Sequence, residues 1–302
     1  VELHDIVIIG AGMAGLAAAR ALKAAGRGVV LYDKGRKPGG RLATRRGAVT
    51  FNHGCQFLTL RDPAFRATML ACGAVPWGAA GQGCHVGVPD MASLAETFAA
   101  GLPVRLEHQL AEANYAGHWS LRFTNGTAVT SKNLILAIPA PQAAVLIPEL
   151  APHLAGVRMA PCWTVMLTLP PNTPGPDLLR PSQNPLAWIS RENARPGATQ
   201  QATAYTIQAS APWSTAHLED APETVTETLT AAFWAATSIP PAPFTARAHR
   251  WRYALAETPL GNPYIWEPET RLGLCGDWCL AGRLEAAFLS GHALGIYLGD
   301  DH

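Results

Sequence analysis

An α/β fold, in which a parallel sheet carries an inserted mixed-sheet domain, is predicted by three observations. The first is the stretch from Asp5 to Asp33. There an unalternating apolar run, Ile6–Ile9, leads into glycines at 10, 12 and 15, then a helical run, then a second apolar run at Val29–Leu31. Runs without polar alternation are what a parallel strand covered on both faces requires. The second is a change of texture near residue 150, after which strand-like segments follow one another with one helix among them. The third is a late return to the first pattern, a short buried strand at Leu272–Cys275 followed by a helix. The expected division is 1–65, 90–150 and 255–302 for the parallel-sheet domain, and 66–89 with 151–254 for the inserted one.

Gly10, Gly12 and Gly15 fall on the G-x-G-x-x-G spacing of a Rossmann-type dinucleotide site. The first glycine allows the tight turn, the second lets a pyrophosphate approach the backbone, and the third lets the helix pack on the strand. Met13 and Ala14 open that helix, whose free amides and dipole favour phosphate. Strong helix formers continue it from Leu16 to Leu22. Asp33 ends the second strand about twenty residues past the glycines, where a carboxylate can accept hydrogen bonds from a ribose diol. Gly39-Gly40-Arg41-Leu42-Ala43-Thr44 follows. It either brings more amides and a guanidinium onto the same pyrophosphate or is a solvated basic turn with Arg36, Lys37, Arg45 and Arg46.

Farther on, Val49–Thr59 holds His53-Gly54 and Gln56-Phe57, which read as the approach to a flat ring or as a core strand with a turn. Arg61-Asp62-Pro63 opens a helix to about Cys72, and the glycine-rich residues 73–89 read as a loop over a pocket. Met91–Ala100 is an amphipathic helix, and Val104–Leu110 a strand with a structural His108. Asn125-Gly126 is the strongest short hairpin signal, between Trp119–Phe123 and Thr127–Ser131. Asn133–Ile138 is a buried strand ended by Pro139. In the second section Thr164–Leu169, Leu186–Ser190, Thr203–Gln208 and Ala246–Tyr253 are strands and Glu223–Ala236 a helix. Trp163, Trp188, Trp213, Trp234 and Trp251 line a pocket or fill the core. After the sharp Gly276-Asp277 turn, the helix Leu284–Leu298 keeps Ala286, Ala287, Ser290 and Gly291 on a small side. Such a helix start can meet a ring with its amides toward an electron-rich oxygen, or simply pack tightly.

Composition excludes several classes. Of 302 residues, 48% are hydrophobic and 15% charged, enough apolar material for two domains. Net charge is +1 and the basic residues beyond 46 are scattered, so no nucleic-acid face is expected. No apolar run reaches the length of a membrane span, and the first one, cut by Gly10, Gly12, Gly15 and Arg20, reads as a strand and not a leader. Six cysteines without a disulfide framework favour a reducing, cytoplasmic setting. Cys275 and Cys279 lack the companions of a zinc site, and no metal is expected.

Together these motifs resemble the bacterial branch of the renalase family of flavoproteins. The second glycine pair by itself is similar to that of the amine-oxidase and glutathione-reductase superfamily. The resemblance rests on Ile8–Gly15, Asp33-Lys34, Gly39-Gly40-Arg41, His53–Phe57, Leu136–Gln142, Ala187-Trp188, Ala248–Trp251, Cys275–Cys279, Gly282–Glu285 and Ser290-Gly291. It implies non-covalent FAD and a two-domain architecture like that of p-hydroxybenzoate hydroxylase. The implied reaction is oxidation of the 2- and 6-dihydro isomers of NADH and NADPH, with hydride going to flavin N5 and oxygen as acceptor, giving hydrogen peroxide. By the same resemblance the glycines and Arg41 hold the pyrophosphate, Asp33 the adenosine ribose, and Gln56 and Phe57 border the isoalloxazine. Asp277, Glu285, Ala286 and Ala287 take its ribityl and pyrimidine side, with Met13, Ala14, Lys34, Leu42, Gly54, Leu110, Pro139 and Gly276 completing the cofactor set. Trp188, His249 and Trp251 are the substrate candidates. No side chain is assigned a catalytic role, because a dihydropyridine becomes aromatic as its hydride leaves and needs positioning only. The chain departs from the family in having Ala286 where glycine is frequent, and in a shorter Cys72–Val86 segment. A flavin amine oxidase is the alternative, but those enzymes typically place a lysine of the substrate domain near N5, and the lysines here are 23, 34, 37 and 132. A non-catalytic FAD-binding protein is a third reading.

Overall fold

The computed structural model describes residues 3–300. Strand β1 (Leu3–Ile9) leads into helix α1 (Met13–Ala24), and β2 (Val29–Tyr32) returns parallel to β1, pairing Ile6 with Val29 through Ile9 with Tyr32. An excursion follows through β3 (Leu58–Thr59), α2 (Pro63–Ala71), β4 (Ala74–Pro76), β5 (Cys84–Gly87) and α3 (Met91–Ala99). Asp62 caps α2, accepting from the Phe65 amide at 2.8 Å, and Pro63 fills the first position, where its missing N–H is no loss. Asp90 caps α3 in the same way through Ser93. The segment 73–89, expected as a loop, instead pairs with β3 in a three-stranded antiparallel sheet, β3-β5-β4. Its glycines serve close packing as well as turns: a side chain at Gly87 would lie 2.4 Å from the Asp90 carbonyl oxygen.

The chain rejoins the main sheet at β6 (Val104–Arg105), parallel to β2, then builds β7 (Leu110–Tyr115), β8 (Trp119–Phe123) and β9 (Ala128–Leu136). The single strand expected over Val104–Leu110 is broken in two. Glu107 takes a φ of 60°, and the His108 amide turns to the Asp33 carbonyl at 2.8 Å. Asn125-Gly126 makes the expected hairpin, with Gly126 at φ 87° and the Asn125 side chain accepting from the Thr127 amide. Helices α4 (Ala140–Leu146) and α5 (Ala151–Leu154) lead away from this sheet.

The second domain comprises β10 (Arg158–Leu169), β11 (Leu178–Leu179), β12 (Leu186–Arg191), β13 (Thr203–Ala209), α6 (Ala211–Ala216), α7 (Pro222–Thr237) and β14 (Thr245–Thr258). Its sheet has the order β11-β12-β13-β10-β14 and is antiparallel throughout. Side chains alternate between its faces. Val165, Leu167, Ile189, Tyr205 and Ile207 form a core with Val225, Leu229 and Phe233 of α7. The intervening residues, among them Trp188, Thr206 and Gln208, point toward the first domain. Strand β14 runs through the expected division at 254/255 because its end stays paired, Thr258 opposite Arg158 and Ala256 opposite Met159. Strands β15 (Ile265–Glu267) and β16 (Leu272–Leu274) then rejoin the main sheet, β16 parallel to β9, and helix α8 (Leu284–Asp300) ends the described chain.

The main sheet runs β15-β16-β9-β1-β2-β6, and its central strands are apolar on both sides because each side has its own core. Ile6, Ile8, Leu31 and Ile135 pack with α1, α3 and α8, whereas Val7, Ile9, Leu134 and Leu136 pack with Trp119, Phe123 and Leu150. Helix α8 crosses α1 with almost nothing between them. Gly291, Gly295 and Gly299 share one face of α8 at four-residue spacing. A side chain at Gly291 would stand 1.9 Å from the Ala14 carbonyl oxygen, and one at Gly295 2.7 Å from that of Ala18. Gly291→Ala is therefore expected to destabilise the fold by about 3 kcal/mol, the upper end for an overpacked core. Gly156→Ala, whose new methyl would meet nothing within 4 Å, should leave the urea midpoint within a few tenths of a molar unit of the parent.

Candidate cofactor and active site

The ends of β1 and β2 position the glycine loop. Gly10 has φ 105°, and a side chain there would lie 2.5 Å from the Ala137 carbonyl oxygen; one at Gly15 would lie 1.9 Å from that of Gly10. Gly12 is different. A side chain there would meet nothing within 4 Å, so its hydrogen leaves open space before the first turn of α1. That turn has no side-chain cap and no acidic residue. The amides of Met13 and Ala14 are left for an anion. Asp33 holds the loop in place: its Oδ2 accepts from Ala11 N and its Oδ1 from Gly35 N, each at 2.6 Å. Both oxygens, expected at a ribose, are thus engaged by backbone, and a carboxylate keeps further lone pairs for hydroxyls.

The second glycine pair lies directly against the first. Gly39 (φ 117°) donates to the Ala11 carbonyl at 2.8 Å and bridges to Gly12, while a side chain at Gly40 would reach the Gly12 Cα at 3.5 Å. Lys34 is exposed nearby, and Leu42 is buried beneath in the first core. Arg41 makes a two-pronged ion pair with the buried carboxylate of Asp277, at 2.8 and 2.5 Å, and donates to the Ala254 carbonyl at 2.9 Å. Arg41 and Asp277, expected on the pyrophosphate and the ribityl chain, are bound to each other because a buried carboxylate left without a partner is costly.

Gly276 donates to Ser290 Oγ at 2.9 Å, and a side chain on it would strike the Trp278 indole nitrogen at 2.4 Å. That nitrogen donates to the Ile138 carbonyl, which fixes the peptide before Pro139. Glu285 is buried with its Oε1 accepting from the amides of Arg61 (2.7 Å) and Asp62 (2.6 Å), so it anchors the start of α2. Ala286 and Ala287 are buried on the same turn. Leu110 is a core residue opposite Phe123.

Across the second sheet, register places Trp188, Gln208, Thr164 and His249 in one row, with Trp251 next along β14. Three donors from this face hold the 53–57 segment. Trp188 Nε1 reaches Gln56 Oε1 at 3.0 Å, Gln208 Nε2 the Gly54 carbonyl at 3.0 Å, and Trp251 Nε1 the His53 carbonyl at 2.9 Å. On its other side a side chain at Gly54 would lie 2.1 Å from the Arg41 carbonyl oxygen. Phe57 stacks on Trp188 with centroids 5.5 Å apart, and His53 stacks on Trp251 at the same distance. His249 meets His53 at 4.9 Å and Trp251 at 4.5 Å. The three substrate candidates therefore share a face, Trp188 at one end and His249 with Trp251 at the other.

Sequence reasoning missed the polar cluster behind this face. Arg195, buried, donates to Gln56 O at 2.8 Å and to Gln56 Oε1 at 2.5 Å. It also pairs with Glu192 at 2.9 Å and lies 4.4 Å from the Trp77 ring. Glu192 in turn accepts from Asn52 N and Nδ2 and from the Thr206 hydroxyl. The available signal was an acid and a base three residues apart in a charge-poor stretch.

Burial pushes His53 down to about 4, helped by His249 and Arg45. Burial also lowers His249, with Arg247 and Arg45 adding to it. Both rings are neutral near pH 7. Burial raises the thiols of Cys55 and Cys162 to about 11 and that of Cys279 to about 12, and lifts Cys275 well above its usual range.

The family model for flavin containing amine oxidoreductases matches residues 51–293. The chain belongs to that family. A model for an NAD(P)-binding Rossmann-like domain matches residues 8–70, which include both glycine pairs. Among solved structures, a putative protoporphyrinogen oxidase from Exiguobacterium sp. 255-15 is similar with a TM-score of 0.76 at 13% identity, over 99% of each chain. Wild-type putrescine oxidase bound to putrescine is similar with a TM-score of 0.71 at 11% identity, over 98% of this chain and 99% of that one. At such identities the likeness is one of fold. This flavin-containing oxidoreductase is an FAD-dependent enzyme, and the open space at Gly12 before uncapped amides fits the cofactor's pyrophosphate.

Two outcomes follow for the flavoenzyme. Asp33→Ala removes the acceptor of two loop amides and is expected to weaken FAD binding to the apoprotein at least tenfold, on the order of one charge-assisted hydrogen bond. Fluorescence titration measures this, and an unchanged affinity would remove Asp33 from the loop's support. The second concerns acid. His53 titrates near 6.5 when unfolded and about 4 when folded, so between these values the unfolded chain binds more protons. The stability tied to the neutral ring is whole above pH 6.5 and is lost as pH falls toward 4, roughly 3 kcal/mol in all. The urea midpoint should drop across that window, and drop less in His53→Phe.

Proposed function

We propose that this flavoenzyme oxidises a dihydropyridine, namely the 2- or 6-dihydro isomers of NADH or NADPH. Bound FAD would supply the two-electron acceptor, with oxygen then taking the electrons to give hydrogen peroxide. The observation that carries this reading is the aromatic face over residues 53–57, whose two histidines are neutral and to which no lysine belongs. Flat rings from Phe57, Trp188, His53 and Trp251 suit the flat, uncharged ring of the donor. Its hydride leaves as the ring becomes aromatic, so the face has only to position it and exclude water. Gln56, held by Trp188, Ser190 and Arg195, keeps the segment rigid for that purpose.

FAD is non-covalent in this proposal, since the buried thiols of Cys275 and Cys279 stay protonated and are poor nucleophiles. The phosphates would rest on Gly12, Met13 and Ala14, with Gly10, Gly15 and Gly40 shaping the cradle. Trp188, His249 and Trp251 would frame the substrate ring. An amine is the substrate class that the family name raises. It would ask this face for a free carboxylate or a base, and Glu192 is committed to Arg195.

Anaerobic mixing with a 2- or 6-dihydro isomer should bleach the flavin at least tenfold faster than ordinary NADH or a primary amine does. The rate should vary little between pH 6 and 9, because no side-chain base is required. Alanine at Trp188, His249 or Trp251 should slow bleaching while the protein stays yellow. Fast bleaching by a primary amine, rising steeply toward alkaline pH, would sink the proposal.

A further inference from the structure

Two arginines at the outer edge of this face are unaccounted for. Arg45 and Phe51 form a hydrogen-bonded antiparallel pair, N to O at 2.9 and 3.0 Å, so their side chains leave on the same side. The Phe51 ring packs on Met166 and Ala204 of the second sheet. Directly across from Met166 on β14 stands Arg247, and two residues on, on the same face, is His249. The path from Phe51 to His53 runs parallel to the path from Arg247 to His249, since His53 meets His249 and Trp251. Arg45 and Arg247 therefore converge on one corner of the interface, outward of the histidines.

Both guanidinium groups are exposed, and among the described residues neither has a hydrogen-bond or ion-pair partner. Of the nearby acids, Asp90 and Glu96 pair with Arg46, Glu192 with Arg195 and Glu219 with Arg250 and Arg252, while Glu223 and Glu227 belong to α7, which packs on the opposite face of the sheet. Both arginines act on His249 and Arg45 also on His53, each disfavouring the protonated ring, and no acid opposes them. The corner is thus a concentration of positive charge without an internal counterion. Guanidinium pairs of this kind match phosphoryl oxygens in geometry and charge.

We propose that Arg45 and Arg247 form an anion subsite at the rim of the aromatic face, which takes the phosphoryl groups of the substrate. The inference rests on the dihydropyridine reading for the identity of the anion. The two-residue offset from His249 to Arg247, about 7 Å along the strand, is of the order of the span from a nicotinamide ring to its ribosyl phosphate.

The test uses the FAD-loaded enzyme, so that the cofactor's own phosphate site is filled, and inorganic pyrophosphate as the probe in calorimetric titration. Arg45→Gln and Arg247→Gln should each weaken pyrophosphate binding about tenfold, and the double variant about a hundredfold. Retained flavin absorbance and an unchanged melting temperature verify folding, which substitution of exposed side chains should preserve. Equal binding by parent and double variant, or no binding by the parent, would overturn the subsite.

A second arm compares kcat/KM for a 6-dihydro dinucleotide with that for the matching phosphate-free riboside. The parent should prefer the dinucleotide, and the double variant should lose at least tenfold of that preference. If neither donor reduces the flavin but pyrophosphate binding still depends on the arginines, the dihydropyridine reading falls and the subsite stands. If both donors work equally well in parent and variant, the subsite falls and the reading stands.

Discussion

The arrangement depends on the backbone of residues 53–56 being gripped from two sides at once. One jaw is the chain just after the second glycine pair, which comes so near that position 54 has no room for a methyl. The other is the second sheet, which reaches down with two indoles and an amide to the His53 and Gly54 carbonyls and the Gln56 side chain. Neither domain alone could order it. The segment's position relative to the glycine loops therefore reports how the two domains are seated, and the aromatic face inherits its geometry from the glycine-loop side.

The seating is polar at its centre and aromatic at its edges. Asn52, Glu192, Arg195 and Gln56 are linked to one another under a roof of Trp77 and Trp188, with Arg195 Nε beside Glu192 in an ion pair but not hydrogen-bonded. A buried ion pair contributes little net stability against a well-packed apolar substitute, but loss of one partner strands a charge. Such a cluster is better understood as a key than as glue: it admits one register of sheet on segment and penalises sliding.

Much of the first domain was legible in the sequence because local rules act there. Gly10, Gly12, Gly15 and Asp33 have roles set by backbone geometry within about twenty-five residues, and the caps at Asp62 and the turn at Asn125-Gly126 are equally local. Segment 73–89 was misread because glycines that permit close sheet packing look the same as glycines that permit a loop. Strand β14 outran its expected end because only its partner β10 decides where it stops. Arg41, Asp277 and Glu285 stand out in the sequence, but their partners lie some 220 to 240 positions away, and no local pattern records such distances. Arg195 was overlooked for the same reason.

The glycine face of α8 has a consequence for the order of assembly. Strand β1 and helix α1 are synthesised before the second domain, and β16 and α8, which complete their packing, after it. The contacts that hold the cradle's helix in place therefore bracket the second domain and cannot form until α8 has been made. Until then α1 exposes a flat alanine surface with no helix against it, and the second domain has already been synthesised in full. Long-range closure of this kind makes folding slow and leaves apolar surface open during synthesis. A nascent chain of this enzyme thus owns its second sheet well before it can own a finished nucleotide cradle.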